Sequence, residues 1–363
     1  MALDSLFKPF EFKSLKMPNR VVMAPMTRSF SPGGVATDDV AAYYRRRAEN
    51  QVGLIVTEGT GVARDASLND ANVPRFHGEK ELAAWKKVVD EVHAVGGLIA
   101  PQLWHVGAAK GKDVLGKIDS PSGLSKRDGN PFTEPMTDAE IADTIAAFAS
   151  AAANAKALGF DAIELHGAHG YLIDQFFWEG TNVRTDGFGG PTIGERSKFA
   201  AEILKAVRVA VGPDYPVIIR LSQWKQQEYT ARLATTPKEM EAWLSPLADA
   251  GADIFHCSQR RFWEPEFEGS DLNFAGWAKK LTGAPTITVG SVGLSGEFIA
   301  AFGGEGSQPA SIDGLLERLD RGEFDLVGVG RALLQDPEWV VKIHEGRTDE
   351  LKSFEREALG VLY

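Results

Sequence analysis

Two histidines and one tyrosine lie within six residues of each other, directly after a short apolar run. The apolar run ends at Leu165, and His166, His169 and Tyr171 follow with two glycines between them. Imidazoles offer hydrogen-bond donors, and a phenol is a source of protons. Glycines let the backbone turn sharply and approach a ligand closely. The pattern predicts a reactive site at the end of a strand, and a loop with solvated histidines is the alternative interpretation.

The elements that must position these residues repeat along the chain. Eight short apolar runs are continuous rather than alternating, which is typical of parallel strands buried on both faces. The runs occupy residues 20–23, 53–57, 98–103, 162–165, 217–221, 254–257, 286–289 and 326–329. Helical spacing, with glycine stops, predicts helices over residues 79–95, 137–158, 195–211, 236–250 and 311–320.

Eight strands that alternate with helices predict an α/β fold, a (β/α)8 barrel of the TIM type. An open doubly wound sheet is less favoured, because no Gly-x-Gly-x-x-Gly motif follows an early strand. No linker divides residues 1–363, so we expect one domain. Long loops at 104–136 and 222–235 follow the carboxyl ends of strands, where such barrels build their sites. The glycine-rich stretch 302–309 predicts a mobile surface loop.

Charge and composition narrow the classes of function. The formal net charge is −11, with 50 acidic against 39 basic residues, which argues against nucleic acid or an anionic membrane as the main partner. The single cysteine, Cys257, cannot form an intrachain disulfide or hold an iron–sulfur cluster, and we expect a buried thiol. No apolar run has membrane-spanning length, and no secretory signal is recognisable, so we expect a cytoplasmic location.

The last two predicted strands lead into glycine-rich turns. Gly290 to Gly293 follow the seventh strand, and Gly328 to Arg331 follow the eighth. In TIM barrels these two loops commonly bind a phosphate, and an arginine adds a permanent charge with bidentate geometry. The two turns together favour a phosphate site over simple tight turns.

The other strand ends are polar but contain no pair of acids for glycoside hydrolysis and no serine in a nucleophile elbow. Thr27, Gln102 and Arg220 offer a hydroxyl, an amide and a cation, which match the edge of an isoalloxazine ring. His166 and His169 lack an obvious third metal ligand, so we expect no metal. The pattern predicts a planar, phosphorylated cofactor.

These motifs, in this order, resemble the Old Yellow Enzyme family of FMN-dependent ene-reductases. Thr27 stands where a second branch of that family has cysteine, so the chain is similar to the classical branch. The matching motifs are residues 19–28, 57–60, 102–104, 166–171, 182–190, 195–196, 288–293 and 329–331. The resemblance implies non-covalent FMN at the barrel mouth, NADH or NADPH as reductant, and an enone or similar electron-poor alkene as substrate, in a monomer or homodimer.

The resemblance also implies roles in cofactor binding. Thr27 would bond the flavin O4, Gln102 the pyrimidine edge, and Arg220 would lie near N1. The residues that would pack against the ring are Pro25, Met26, Gly59 and His166. The residues that would hold the phosphate are Gly290, Ser291, Val292, Gly330 and Arg331.

In the reaction that the resemblance implies, His166 and His169 would bind the carbonyl oxygen of the substrate. Tyr171 would deliver a proton to the α-carbon, and Trp104 would shape the substrate pocket. Position 169 is His where other members of the family have Asn.

Two segments depart from the family pattern. The stretch at 261–268 adds the acids Glu264, Glu266 and Glu268 and the aromatic Trp263 near the expected mouth, which would suit a cationic substrate. A flavin-dependent amine demethylase or dehydrogenase is therefore the alternative function, and a non-catalytic flavin-binding protein is a third. The chain ends at Tyr363, which would replace aromatic residues that relatives place over the flavin, unless such residues are missing here.

Overall fold

Eight parallel strands close into a barrel in the computed structural model, which describes residues 2–111, 116–126, 128–297 and 306–363. The predicted (β/α)8 barrel is confirmed. Residues 302–305 of the predicted glycine-rich loop lie outside the described residues.

The barrel strands follow one another in chain order, and the last strand pairs with the first. They are β3 (Val21–Met23), β4 (Leu54–Gly61), β5 (Ile99–Trp104), β6 (Ile163–His169), β7 (Val217–Lys225), β8 (Ile254–Ser258), β9 (Thr286–Val289) and β10 (Leu326–Val329). Every residue of these eight strands is buried except the last residue of β9. The continuous apolar runs predicted this burial.

An antiparallel hairpin, β1 (Phe10–Phe12) and β2 (Leu15–Met17), precedes the barrel. Phe10, Leu15 and Met17 belong to the same buried cluster as side chains from the beginnings of the barrel strands, such as Leu54 and Ile218. The hairpin therefore closes the amino-terminal end of the barrel, and the carboxyl end is left for a ligand.

Helices surround the strands, and most of the buried apolar side chains lie between these two layers. The helices are α1 (Ala2–Leu6), α2 (Asp38–Glu49), α3 (Glu79–His93), α4 (Asp138–Leu158), α5 (Leu172–Phe177), α6 (Ile193–Arg196), α7 (Lys198–Val211), α8 (Pro237–Asp249), α9 (Phe274–Thr282), α10 (Asp313–Asp320), α11 (Arg331–Gln335) and α12 (Trp339–His344). Within the described ranges no helix is both long and apolar enough to cross a membrane.

The glycine stop predicted after the helix at 137–158 is confirmed, and the amino-terminal end of that helix has a side-chain cap. Thr137 forms a capping box with Glu140, and α4 is followed by Gly159 in the left-handed conformation. The helix predicted over 195–211 is wrong as one element, because α6 ends at Arg196 and α7 begins at Lys198.

Five barrel strands extend beyond their predicted carboxyl ends, β5 and β8 by one residue and β4, β6 and β7 by four. β6 was expected to end at Leu165 but continues to His169, with a shift in its pairing register to β7 between Gly167 and His169. β4 and β7 also end four residues later than predicted, at Gly61 and Lys225. The polar residues in these extensions therefore belong to strands, which hold them more rigidly than the predicted loops would.

Candidate active site

A cavity of about 420 Å³ opens at the carboxyl ends of the barrel strands. Its volume lies in the range of pockets that hold small molecules or cofactors. The predicted site residues that line it are Pro25, Met26, Thr27, Gln102, Trp104, His166, His169, Tyr171, Arg220, Gly290, Ser291, Val292, Gly330 and Arg331. The structure thus brings the predicted cofactor and substrate residues together at one end of the barrel.

Gly59 is the predicted site residue that does not line this cavity. It pairs in register with Gln102, and a Cβ on Gly59 would lie 2.6 Å from the ring of Trp104. The glycine therefore makes room for the indole of Trp104, which itself lines the cavity. Its contact with a cofactor stays a prediction.

A buried hydrogen-bond network lies inside the barrel under the cavity. The side-chain amide of Gln102 donates to Glu164 at 2.8 Å, and the other oxygen of Glu164 lies 2.6 Å from Nδ1 of His256. Glu164 and His256 have fully buried side chains. Because one N–H of Gln102 is used by Glu164, its carbonyl oxygen and its second N–H are left to bond a ligand.

Arg220 places a cation in the wall of the same cavity. It follows from β6–β7 pairing that Arg220 lies beside His166, and β7–β8 pairing places it beside His256. Its Nε atom is buried without a hydrogen-bond partner among the described residues, and Nη1 makes a long contact of 3.4 Å to the carbonyl oxygen of Pro25. A buried guanidinium with so few partners favours a ligand that carries negative charge.

The two predicted histidines face each other across the strand end. Nε2 of His166 lies 3.0 Å from Nδ1 of His169, and Nε2 of His169 lies 2.8 Å from the hydroxyl of Ser258. Burial and the nearby Arg220 guanidinium hold the pKa of both imidazoles well below the usual value for histidine. Each ring is therefore neutral near pH 7 and offers one N–H.

The backbone of His169 is strained and held from two sides. Its φ angle is 66°, a region that residues other than glycine rarely adopt. The hydroxyl of Ser222 accepts a hydrogen bond from its backbone N–H at 2.9 Å, and the ring of Trp224 lies 4.5 Å from its ring centre. The strain is consistent with a position that is fixed for function rather than for stability.

The phenol of Tyr171 lies beside these imidazoles. Its ring centre is 4.9 Å from that of His166 and 4.9 Å from that of Trp104. The amide of Gln226 donates to the phenol oxygen at 3.0 Å, so the O–H is left to donate elsewhere. Burial raises the pKa of Tyr171, so it carries its proton at neutral pH and is a suitable acid.

The turns after β9 and β10 form the other end of the cavity. Gly290 has a φ of 154°, and a Cβ there would lie 2.7 Å from the carbonyl oxygen of Gln259, so only glycine fits. Arg331 donates to the carbonyl oxygens of Gly296 at 2.5 Å and Glu297 at 3.1 Å. Arg331 thereby joins the segments that follow the two strands, and it is also one of the residues that line the cavity.

Several lining residues were not among the predicted site residues: Trp224, Gln226, Ser258, Gln259, Arg260, Leu294, Phe354 and Leu359. Trp224 lies in the extension of β7 and Gln226 directly follows it, so both fall within the stretch 222–235 that the sequence predicts to be a functional loop. Ser258 ends β8 one residue beyond the predicted strand, so a longer strand would have found it.

The carboxyl-terminal segment contributes Phe354 and Leu359 to the cavity, whereas Tyr363 lies elsewhere, 4.9 Å from the guanidinium of Arg46. Arg28 fixes this segment by donating to backbone carbonyl oxygens, including that of Val361 at 2.6 Å. The expectation that Tyr363 covers the cavity is therefore not met. The arginine that anchors the segment lies some 330 residues away in sequence, so no local pattern revealed the contact.

The acidic stretch at 261–268 does not face the cavity either. Glu266 bonds Arg232 and accepts from Gln223 at 2.7 Å, and Glu264 pairs with Arg261 at 2.8 Å. Trp263 is 42% exposed and lines a separate surface groove. Glu264 and Glu266 are paired with neighbouring cations, and none of the three acids at 264, 266 and 268 is among the residues that line the cavity, so the charged mouth that the sequence suggested is not formed there.

Comparisons with known proteins give concordant results. The model of the NADH:flavin oxidoreductase / NADH oxidase family matches residues 5–305. The chain is 32% identical to 12-oxophytodienoate reductase 7 of Oryza sativa subsp. japonica over 363 residues, which cover 92% of this chain and 86% of the relative. A probable inactive dehydrogenase, easA of Claviceps fusiformis, is 34% identical over 74% of this chain and 71% of its own length.

Among solved structures, that of morphinone reductase in complex with tetrahydroNAD is similar with a TM-score of 0.79. It shares 28% identity, and the similarity covers 98% of this chain and 93% of the other.

Proposed function

Because this chain belongs to the NADH:flavin oxidoreductase / NADH oxidase family, the family of the Old Yellow Enzymes, we propose that it is an FMN-dependent ene-reductase. It would use NADH or NADPH to reduce the activated C=C bond of α,β-unsaturated carbonyl compounds. One observation carries the proposal: Nε2 of His166 and Nδ1 of His169 converge to 3.0 Å beside the phenol of Tyr171. Two hydrogen-bond donors and an acid are what the addition of hydride to an enone requires.

The residues around the cavity fit FMN. Arg220 has a buried Nε without a partner in the described part of the chain, and the amide of Gln102 keeps a donor and an acceptor for a ligand. A ring with both donors and acceptors on its edge would use all of these groups. At the other end, Arg331 and the turn at Gly290 would hold the phosphate. When bound, FMN would supply the hydride that NADH or NADPH has provided.

The imidazoles would polarise the substrate. Nε2 of His166 is the ring nitrogen that a ligand could reach, because Nδ1 is buried and Nε2 faces His169, which also lines the cavity. Nε2 of His166 and Nδ1 of His169 share one hydrogen bond at 3.0 Å, so one of them donates and the other accepts. An enone oxygen that replaced this bond would accept an N–H from each ring once the accepting ring took its other tautomer. Negative charge grows on that oxygen as the β-carbon gains hydride, so the two donors stabilise the transition state more than the ground state.

Tyr171 would then protonate the α-carbon. Its phenol oxygen already accepts from Gln226, so its proton is the one that is free to be donated. Trp104 packs edge-on against Tyr171 at 4.9 Å and would limit how deeply a substrate can enter. These side chains orient the substrate and supply the proton, and the cofactor supplies the reducing equivalents.

The neutral state of the histidines predicts a flat pH dependence. Since the pKa of His166 and that of His169 lie well below the histidine value of 6.5, lowering the pH from about 8 to 6 leaves both rings neutral. Titration of the oxidised, FMN-loaded protein with 2-cyclohexen-1-one should give dissociation constants within about twofold of each other across this range. A tenfold change with a midpoint near 6.5 would contradict the assignment.

Replacement of Arg331 tests the phosphate site. Arg331→Gln removes a charge from the cavity wall and two hydrogen bonds to the β9 turn, so FMN should bind roughly 10- to 100-fold more weakly. The measurement is quenching of flavin fluorescence as the apoprotein takes up FMN. The matched control is Arg45→Gln on α2, since Arg45 pairs with Glu49 and Glu91 on the outer surface. Equal affinities in the two variants would refute the phosphate role.

Steady-state assays with different substrates test the function itself. The proposal expects NADH or NADPH to be oxidised only when an activated alkene such as 2-cyclohexen-1-one or N-ethylmaleimide is present under anaerobic conditions. Oxygen uptake with N-methylated amines, in the absence of a nicotinamide, would instead favour the demethylase alternative. Rapid reduction of the flavin with no turnover of any alkene would favour a non-catalytic protein.

A further inference from the structure

Glu164 carries a charge that the mechanism above does not use. Its carboxylate lies inside the barrel with a fully buried side chain, and it accepts from Gln102 at one oxygen. The other oxygen lies 2.6 Å from Nδ1 of His256. A carboxylate that accepts at both oxygens has no need of a proton of its own, so the contacts fit the ionised form.

His256 does not neutralise this charge. Burial lowers the pKa of His256, which favours the neutral ring. Its Nε2 is buried without a hydrogen-bond partner in the described part of the chain, and a bare lone pair is tolerated there better than an N–H. The neutral tautomer with its proton on Nδ1 satisfies Glu164 and leaves only that lone pair. The negative charge therefore stays on Glu164.

Arg220 is a cation close enough to this carboxylate to interact with it. Glu164 attracts Arg220 electrostatically, and the pairing of β6, β7 and β8 places Glu164, Arg220 and His256 on three adjacent strands. Arg220 and Gln102 line the cavity, whereas Glu164 and His256 lie beneath them and do not. Glu164 thus contacts Gln102 and partly offsets the positive charge of Arg220.

We propose that Glu164, held by His256, is a positioning residue that sets the reduction potential of the bound flavin. It fixes the amide of Gln102 and opposes the charge with which Arg220 would stabilise a negatively charged reduced ring. The inference rests on the proposed function, because it needs FMN in this cavity. A buried charge acts over several ångströms with little screening, so removing it should have a measurable effect on the cofactor.

Two substitutions separate the charge of Glu164 from its shape. Glu164→Gln removes the charge but keeps an oxygen for Gln102 and an N–H for the ring of His256, which would take its other tautomer at the cost of an unpaired N–H on Nε2. The charge of Arg220 is then unopposed, so the reduction potential of the bound flavin should become more positive. The affinity for reduced FMN, relative to that for oxidised FMN, should rise roughly tenfold. Glu164→Asp keeps the charge but withdraws the carboxylate by one methylene from the amide of Gln102. The reduction potential should therefore stay near that of the unmodified protein, whereas FMN should bind more weakly because Gln102 is held less firmly.

The experiment measures the midpoint potential of the FMN-loaded protein by equilibration with a reference dye under anaerobic conditions. Glu91→Gln on α3 is the control, because it makes the same change of charge in a residue that pairs with Arg45 on the outer surface. The inference is supported by a positive shift in Glu164→Gln that neither Glu164→Asp nor Glu91→Gln reproduces. The inference is overturned if the potential of Glu164→Gln equals that of the unmodified protein.

These results also distinguish the two proposals. If the unmodified protein reduces 2-cyclohexen-1-one but the potential does not respond to Glu164→Gln, only the inference about Glu164 fails. If the protein binds no FMN, both fail. A variant that binds oxidised FMN with a normal absorption spectrum is folded at the site, so a shift in potential there reports charge rather than unfolding.

Discussion

Tyr171→Phe should slow the reoxidation of the reduced flavin by 2-cyclohexen-1-one by about 10²- to 10⁴-fold, the usual contribution of a positioned general acid. The substitution removes only the hydroxyl, so the ring contacts to Trp104 and His166 remain. The reduction of the flavin by NADH or NADPH needs no proton from this phenol and should change far less. Stopped-flow measurement of the two half-reactions separates these effects.

The matched control for this variant is Tyr363→Phe, because Tyr363 is 55% exposed and does not line the cavity. It should leave both half-reactions unchanged. If Tyr171→Phe reoxidises as fast as the unmodified protein, the acid is another group or water, and the role assigned to Tyr171 is wrong. Products reduced in deuterated solvent would then still show where the proton enters.

His166→Ala should cause the second large loss, in the same half-reaction. Removing one of two donors from a developing oxyanion commonly costs about 10²- to 10³-fold in rate. His166→Asn keeps an N–H donor on a shorter side chain and should recover part of this loss. The measurement is the rate of reoxidation by 2-cyclohexen-1-one, together with the dissociation constant of that compound for the oxidised protein.

His344→Gln provides the histidine control, since His344 is an exposed residue on α12 that bonds the side chain of Gln51. Its rates should match those of the unmodified protein. The account of carbonyl polarisation fails if His166→Ala binds and reduces the enone normally. It also fails if His166→Asn is no better than His166→Ala while both variants keep FMN, because the donor would then be irrelevant.

Much of the site followed from the sequence because barrel geometry is regular. Continuous apolar runs mark buried parallel strands, and the residues just after them must lie at one end of the barrel. For this reason Thr27, Gln102, Arg220 and Arg331 were placed together without knowledge of any distance between them. The glycine turn at Gly290 was predictable for the same reason.

The parts that were missed depend on contacts that have no local signal. The continuation of β6 to His169 was not predicted, because the strand ends were assigned from apolar runs and His166 and His169 are polar. The acidity of Glu264 and Glu266 suggested a charged mouth, but their partners Arg261 and Arg232 decide where they point. Ion pairs of this kind are set by the tertiary fold, so composition alone gave a wrong prediction of where these acids lie.

The carboxyl-terminal segment is the clearest example of such a contact. Its position over the cavity depends on the guanidinium of Arg28, which lies five residues after the end of β3. Glu164 is a second example, because its apolar surroundings in the sequence indicate a core position rather than a charge beneath the site. Both became visible only when distant strands were brought together.

The central claim is that FMN lies across the carboxyl end of this barrel and passes reducing equivalents to an enone. The most direct test is the visible absorption spectrum of the purified protein, saturated with FMN, during anaerobic titration first with NADH or NADPH and then with 2-cyclohexen-1-one. The account predicts one FMN bound for each chain, loss of its visible absorbance with the nicotinamide, and full recovery with the enone. A protein that takes up no FMN, or a reduced flavin that the enone leaves bleached, would contradict it.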